Sequence, residues 1–158
     1  MIKKNLTILM IILMSLLFIT AGIYAKVVPD IIELNDPAYE KHKKGIVKFT
    51  HQKHQIEYAK QYPELYENRC GECHHDKDNK PLTELKEGDD VQRCIECHKM
   101  AGERPKGKSA PKLNKKERLE YHAEAFHYNC KGCHKKFNKQ YKPKKAPTTC
   151  AKCHPKKG

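Results

Sequence analysis

Tryptophan is absent from this 158-residue chain, phenylalanine occurs four times, and beyond residue 25 only 18 side chains are Leu, Ile, Val or Phe. That is about 14% of the remainder, below the roughly 20% under which a highly charged chain cannot fold on its own side chains. An ordinary apolar core is excluded. Methionine is equally scarce, since Met1, Met10 and Met14 precede residue 25 and leave Met100 alone. Acids are missing altogether from residues 131–158, which hold ten Lys. Either the chain is disordered, or something bonded or coordinated supplies the missing volume. The eight Cys and ten His are the residues able to do that.

The N-terminus reads separately. Lys3 and Lys4 precede an apolar run from Leu6 to Tyr24, and Ala25 offers a small residue for cleavage, so residues 1–25 are predicted to be a secretory signal peptide. The run of about 18 residues also meets the lower limit for a membrane span, so retention as an anchor is the alternative to cleavage. Once cleaved, the chain is expected to have no stable membrane insertion. Export predicts a periplasmic location, where disulfides can form.

All eight Cys fall into four pairs of one spacing: Cys70 and Cys73, Cys94 and Cys97, Cys130 and Cys133, Cys150 and Cys153. Each pair is followed at once by a histidine, namely His74, His98, His134 and His154. Four such coincidences arise by composition alone with a probability on the order of 10⁻⁵. Two Cys three apart share one helical turn, from which they form thioethers to the two vinyl groups of a haem, and the adjacent His reaches the iron from the same side. Each motif is a covalent clamp plus a proximal ligand, and four covalently attached haem c groups are predicted. A zinc ribbon fits the interval from Cys73 to Cys94 but leaves the four His unexplained. Disulfides join distant Cys rather than recurring as clamped pairs beside His, and a thioredoxin-like pair needs a βαβ context that is absent.

The sixth position on each iron decides between electron transfer and reaction chemistry. Met100 lies two residues after His98, too close to cross its own haem. Six other His remain: His42, His51, His54, His75, His122 and His127. His51 and His54 stand three apart after an extended-looking Ile46-Val47-Lys48-Phe49, so one turn aims both at haems bound elsewhere. His75 follows His74 directly, and neighbouring positions point differently, so the two are expected to bind different irons and hold those haems close. His127 lies one turn before Cys130 on a predicted helix from Lys115 to Cys130 with Asn114 as its N-cap, and is expected to serve another motif's haem. His122 and His127 compete, being about 140° apart around a helix. His42 is read as a surface histidine.

These residues resemble the class III c-type cytochromes typified by tetrahaem cytochrome c3. The resemblance runs from Ile46 to His154 and rests on Phe49-Thr50-His51-Gln52-Lys53-His54, on Cys70-Gly71-Glu72-Cys73-His74-His75, and on Ala125-Phe126-His127 leading into Cys130-Lys131-Gly132-Cys133-His134. Numbering haems by motif order, the resemblance implies that His51 completes haem 1 with His74, His75 completes haem 2 with His98, His54 completes haem 3 with His134, and His127 completes haem 4 with His154. It also implies hydrogenase or a membrane redox complex as partner. All four clamps here have two residues between the Cys, whereas the second and fourth in many relatives have four. About 15 residues separate His54 from Cys70, a longer stretch than is typical, within which Glu57 to Glu67 is expected to form a short helix interrupted by Pro63.

The expected organisation is a signal peptide at 1–25, a polar arm at 26–45 and a tetrahaem cytochrome c3-like domain at 46–158. That domain is expected to be mostly α-helical and irregular with few strands, wrapped around its cofactors. Residues 101–113 hold Pro105, Gly107 and Pro111 and read as an exposed loop. Charge is segregated: residues 64–100 carry ten acids against six bases, while the Lys-rich tail brackets the haem 4 clamp. Such a ring steers an acidic redox protein into contact. Nucleic acid is not expected as a partner, because export removes the protein from it. The reading is an exported, low-potential electron carrier and not an enzyme. The alternatives are a reductase of a metal or small nitrogen or sulfur oxyanion at a five-coordinate haem, and a haem-bearing structural module. Produced in a host with cytochrome maturation machinery, the protein should carry four covalent haems by pyridine haemochrome assay and intact mass; a colourless, folded product would exclude the reading.

Overall fold

Two three-residue strands are the only regular sheet among the described residues, which in this computed structural model are 28–156. The predicted signal segment lies outside them. Residues 29–86 and 90–156 form one compact unit, to which all that follows belongs. Strand β1 (Ile31–Glu33) pairs antiparallel with β2 (Lys48–Thr50), with Ile31 opposite Thr50 and Glu33 opposite Lys48. The extended reading of residues 46–49 thus corresponds to β2 and to the Leu34 N–H bond to Val47 O beside it.

This pairing revises the expected polar arm. Residues 29–45 are built into the fold by main-chain bonds and by two side chains: Asp36 pairs with Arg93 beside the second clamp, and Tyr39 packs on His122. Backbone pairing needs no apolar composition, which is why the segment looks unstructured from its side chains.

Past β2 the chain is short helices and turns. A π-wound segment, Lys53–Tyr58, continues into Ala59–Gln61, and Pro63 then starts a single 3₁₀ turn, Pro63–Leu65, because proline cannot supply the N–H that the helix would need. The predicted Lys115–Cys130 helix begins as expected, with Asn114 accepting from Glu117 N–H and Glu117 accepting from Asn114 N–H in a capping box. It does not run on. Tyr121 is extended and lies beside Met100, whose N–H bonds Glu120 O and whose carbonyl accepts from His122 N–H, so the helix stops at Leu119 and restarts as His122–Phe126. A π-wound turn, His127–Lys131, then leads into Gly132–Gln140.

Core is almost lacking. Among the described residues only Leu65, Gly71 and His122 are buried, and no side chain there is sealed from solvent completely. Small aromatic contacts do part of the work, with Tyr62, Phe137 and Tyr141 meeting at ring-centre distances of 4.8–5.0 Å. Short elements on so little apolar surface cannot offset the entropy of ordering the chain.

Because the Asn114 cap fixes the helix whose last carbonyl, that of Leu119, meets His98, Asn114→Ala should cost about 1 kcal/mol in thermal unfolding of the holoprotein. An unchanged melting temperature would show that this turn is held from elsewhere.

Candidate functional site

Each Cys-x-x-Cys-His motif closes one turn. Cys70 lies on the 3₁₀ turn Arg69–Glu72, which Cys73 caps, and Cys94–Cys97 and Cys150–Cys153 are single α-turns. In these three motifs the His N–H bonds the carbonyl of the first Cys, at 2.9 Å for His74 and His98 and 2.7 Å for His154. The third motif runs from the π-wound turn into the Gly132 helix. A turn closed this way puts residues three apart on one side, so both sulfurs of a motif share a face.

Opposite each motif histidine stands a second imidazole. Ring centres are 6.4 Å apart for His51 and His74, 6.0 Å for His75 and His98, 6.2 Å for His54 and His134, and 6.4 Å for His127 and His154. An imidazole nitrogen bonds a first-row metal at about 2.0–2.1 Å and its ring centre lies about 1.2 Å behind, so two rings flanking one metal have centres about 6.4 Å apart. All four separations match that span.

The far nitrogens explain how the rings are aimed. His54 Nδ1 donates to Thr50 O at 2.8 Å, His75 Nδ1 to Asp76 O at 2.8 Å, His134 Nδ1 to Pro147 O at 2.7 Å, His154 Nδ1 to Gly45 O at 2.9 Å, and His98 Nδ1 to Leu119 O. A carbonyl only accepts, so Nδ1 must carry the proton and Nε2 keeps its lone pair for a metal. Burial pushes His54 and His74 below the ordinary imidazole value, which keeps them in the neutral, ligating form. Five of the eight rings are thus fixed as neutral Nε2 donors facing one partner. With paired sulfurs alongside, this donor set fits haem c.

Two glycines permit the close approaches. A Cβ at Gly45 would overlap Pro155 O, and the bare backbone there lets the Gly45 carbonyl reach His154. At Gly71, inside the first clamp, a Cβ would sit 2.9 Å from Pro81 Cβ.

Burial raises the thiols at the first and third motifs most. All eight cysteines are free of disulfides. Cys73 is exposed as a whole residue, yet burial around its sulfur, then the neighbouring Cys130 and Cys133, push the thiol up to about 12. Burial, then Cys153, push Cys130 up to about 11. Among the described residues no cluster of three or more His, Cys, Asp or Glu is placed to hold a bare metal ion.

The competition between His122 and His127 has a geometric outcome. His127 faces His154, whereas His122 is buried, with its Nδ1 3.1 Å from Tyr39 Oη and its ring 4.9 Å from Phe126. His42 stacks on the other side of the contact, 5.2 Å from Tyr39 and nearly parallel. Sequence reasoning missed the carbonyls of Gly45, Thr50, Asp76, Leu119 and Pro147, because a main-chain acceptor has no side-chain signature. It also missed Asn138, whose amide bonds both Ala146 N–H and Ala146 O and so holds the loop that delivers Pro147.

The family model described as the class III cytochrome c family matches residues 29–154. No curated protein and no solved structure matches the chain.

His127→Met should leave all haems attached and raise the potential of one. His122→Met should leave every potential in place and lower stability by about 1–3 kcal/mol through the lost Tyr39 contact. Redox titration of the two variants checks this, and the opposite pattern would reverse the roles.

Proposed function

The chain belongs to the class III cytochrome c family, a family of multihaem electron-transfer proteins with covalent haem c, and from that premise we propose an exported, low-potential carrier with four bis-histidine sites. The observation that supports this most directly is the set of four opposed imidazole pairs. When bound, haem supplies a one-electron Fe(III)/Fe(II) couple whose potential the axial ligands set.

The chain's own residues do the rest. His51 with His74, His75 with His98, His54 with His134, and His127 with His154 would fill both axial positions, so that no site is open to a substrate. Two imidazoles, in place of the methionine that raises potential in other cytochromes c, favour low potential. This supports a carrier over an oxyanion reductase.

Short stretches of chain also order the sites. The peptide from His74 to His75 joins sites 1 and 2, the turn from His51 to His54 joins sites 1 and 3, and the turn from His127 to Cys130 joins sites 4 and 3. Asn129, in that last turn, donates to Cys73 O at 3.3 Å and ties the first clamp to the third. Tyr66 lies by the same junction, its phenol pushed far up by burial with Cys133 and Cys73 as its next neighbours. The linkage runs 2, 1, 3, 4.

The outer ends differ in charge. Lys131, Lys152 and Lys156 are exposed around the fourth clamp. Lys41, Lys44 and Lys48 from the N-terminal segment line a cleft with Pro155 and Lys156, which extends the basic ring beyond what the tail alone suggested. We take this end as the docking face for an acidic redox protein, such as hydrogenase or a membrane redox complex, in the periplasm. No described helix is long and apolar enough to cross a membrane.

The reduced protein should be low-spin at every site, and carbon monoxide should leave its visible spectrum unchanged; a high-spin band or a shift with carbon monoxide would move the assignment to the reductase. Electron exchange with an acidic carrier protein should slow as salt rises, and Lys152→Glu should slow it further at low salt.

A further inference from the structure

The four imidazole pairs are not equivalent in what lies behind them. At site 2 both rings donate to a carbonyl, His75 to Asp76 O and His98 to Leu119 O. At site 3 both do, His54 to Thr50 O and His134 to Pro147 O. At site 4 His154 alone does, to Gly45 O. At site 1 neither His51 nor His74 has such an acceptor among the described residues, and His51 Nδ1 is buried with no partner at all.

A carbonyl accepting from Nδ1–H draws that proton away from the ring and makes Nε2 a stronger donor. Stronger donation favours Fe(III) over Fe(II), so each such bond lowers the potential of the iron it serves. We propose that the His51 and His74 site has the highest reduction potential of the four and takes the first electron, because neither of its imidazoles is bonded to the main chain. The proposal rests on the bis-histidine reading above.

Surface charge is the competing influence. The lysines near site 4 would raise its potential, and Glu72 beside the first clamp would lower that of site 1. Those lysines are exposed and therefore screened by salt and water, while Glu72 already accepts from Asn68 N–H and from Asn68 Nδ2. A bond to the ligand ring acts one residue from the iron and is not screened in this way.

Site 1 lies inside the linkage, next to site 2 through His74 and His75 and next to site 3 through His51 and His54. One electron from a low-potential donor protein, reducing Fe(III) to Fe(II), therefore comes to rest in the interior and away from the basic docking end. Later electrons occupy the sites whose rings are bonded.

The test uses the wild-type holoprotein, titrated with dithionite and followed by proton NMR. Haem methyl signals are assigned to sites through their contacts with clamp residues, and the first electron is read before interactions between sites complicate the order. The site 1 methyls should move first toward their reduced positions, ahead of those of sites 2, 3 and 4. Four low-spin sets with any other site first would overturn the proposal and leave the bis-histidine reading intact. Fewer than four low-spin sets would remove the bis-histidine reading, and the proposal with it.

Discussion

Four facing imidazole pairs, with ring centres 6.0–6.4 Å apart, are the constraint on which the rest of this chain depends. A neutral ring must be aimed within a few tenths of an ångström, and a polypeptide with almost no apolar interior cannot do that by packing. It does so with main-chain carbonyls, each of which fixes a tautomer and a direction at once. The elements that carry those carbonyls are a strand end at Thr50, a capped helix end at Leu119, a glycine at Gly45 and a loop held by Asn138 at Pro147. Secondary structure here serves mainly to present acceptors.

The same economy governs how the sites are joined. One peptide bond, one helical turn and one π-wound turn make the three linkages, so neighbouring sites are tied through stretches of at most four residues. The chain has two π-wound segments, Lys53–Tyr58 just past β2 and His127–Lys131 before the third motif. Such wider turns occur often at functional positions, where side-chain direction matters more than regular bonding. His54 and His127 both sit on them.

Much of the site was legible in the sequence because its chemistry lies in side chains at fixed spacing. The four Cys-x-x-Cys-His motifs and four further His could be named, and the structure brings together the same imidazole pairs that the family resemblance implies. The fold class was legible from what the composition lacks. What was not legible is carried by the backbone. The pairing of β1 with β2, the break at Tyr121 and the five carbonyl acceptors depend on where main-chain groups meet, and no residue type marks that. His122 looked like a rival ligand because its spacing is helical; only the break at Tyr121, and the placing of Tyr39 from a segment 83 residues away, show it turned to another use.

The contact between Gly45 and His154 joins residues 109 positions apart. Closing so long a loop is the slowest kind of step in assembling a small chain, because its entropy must be lost before any contact rewards it. During synthesis the glycine emerges well before the histidine. The carbonyl that aims His154 therefore reaches it only once both ends of this 109-residue span are present together.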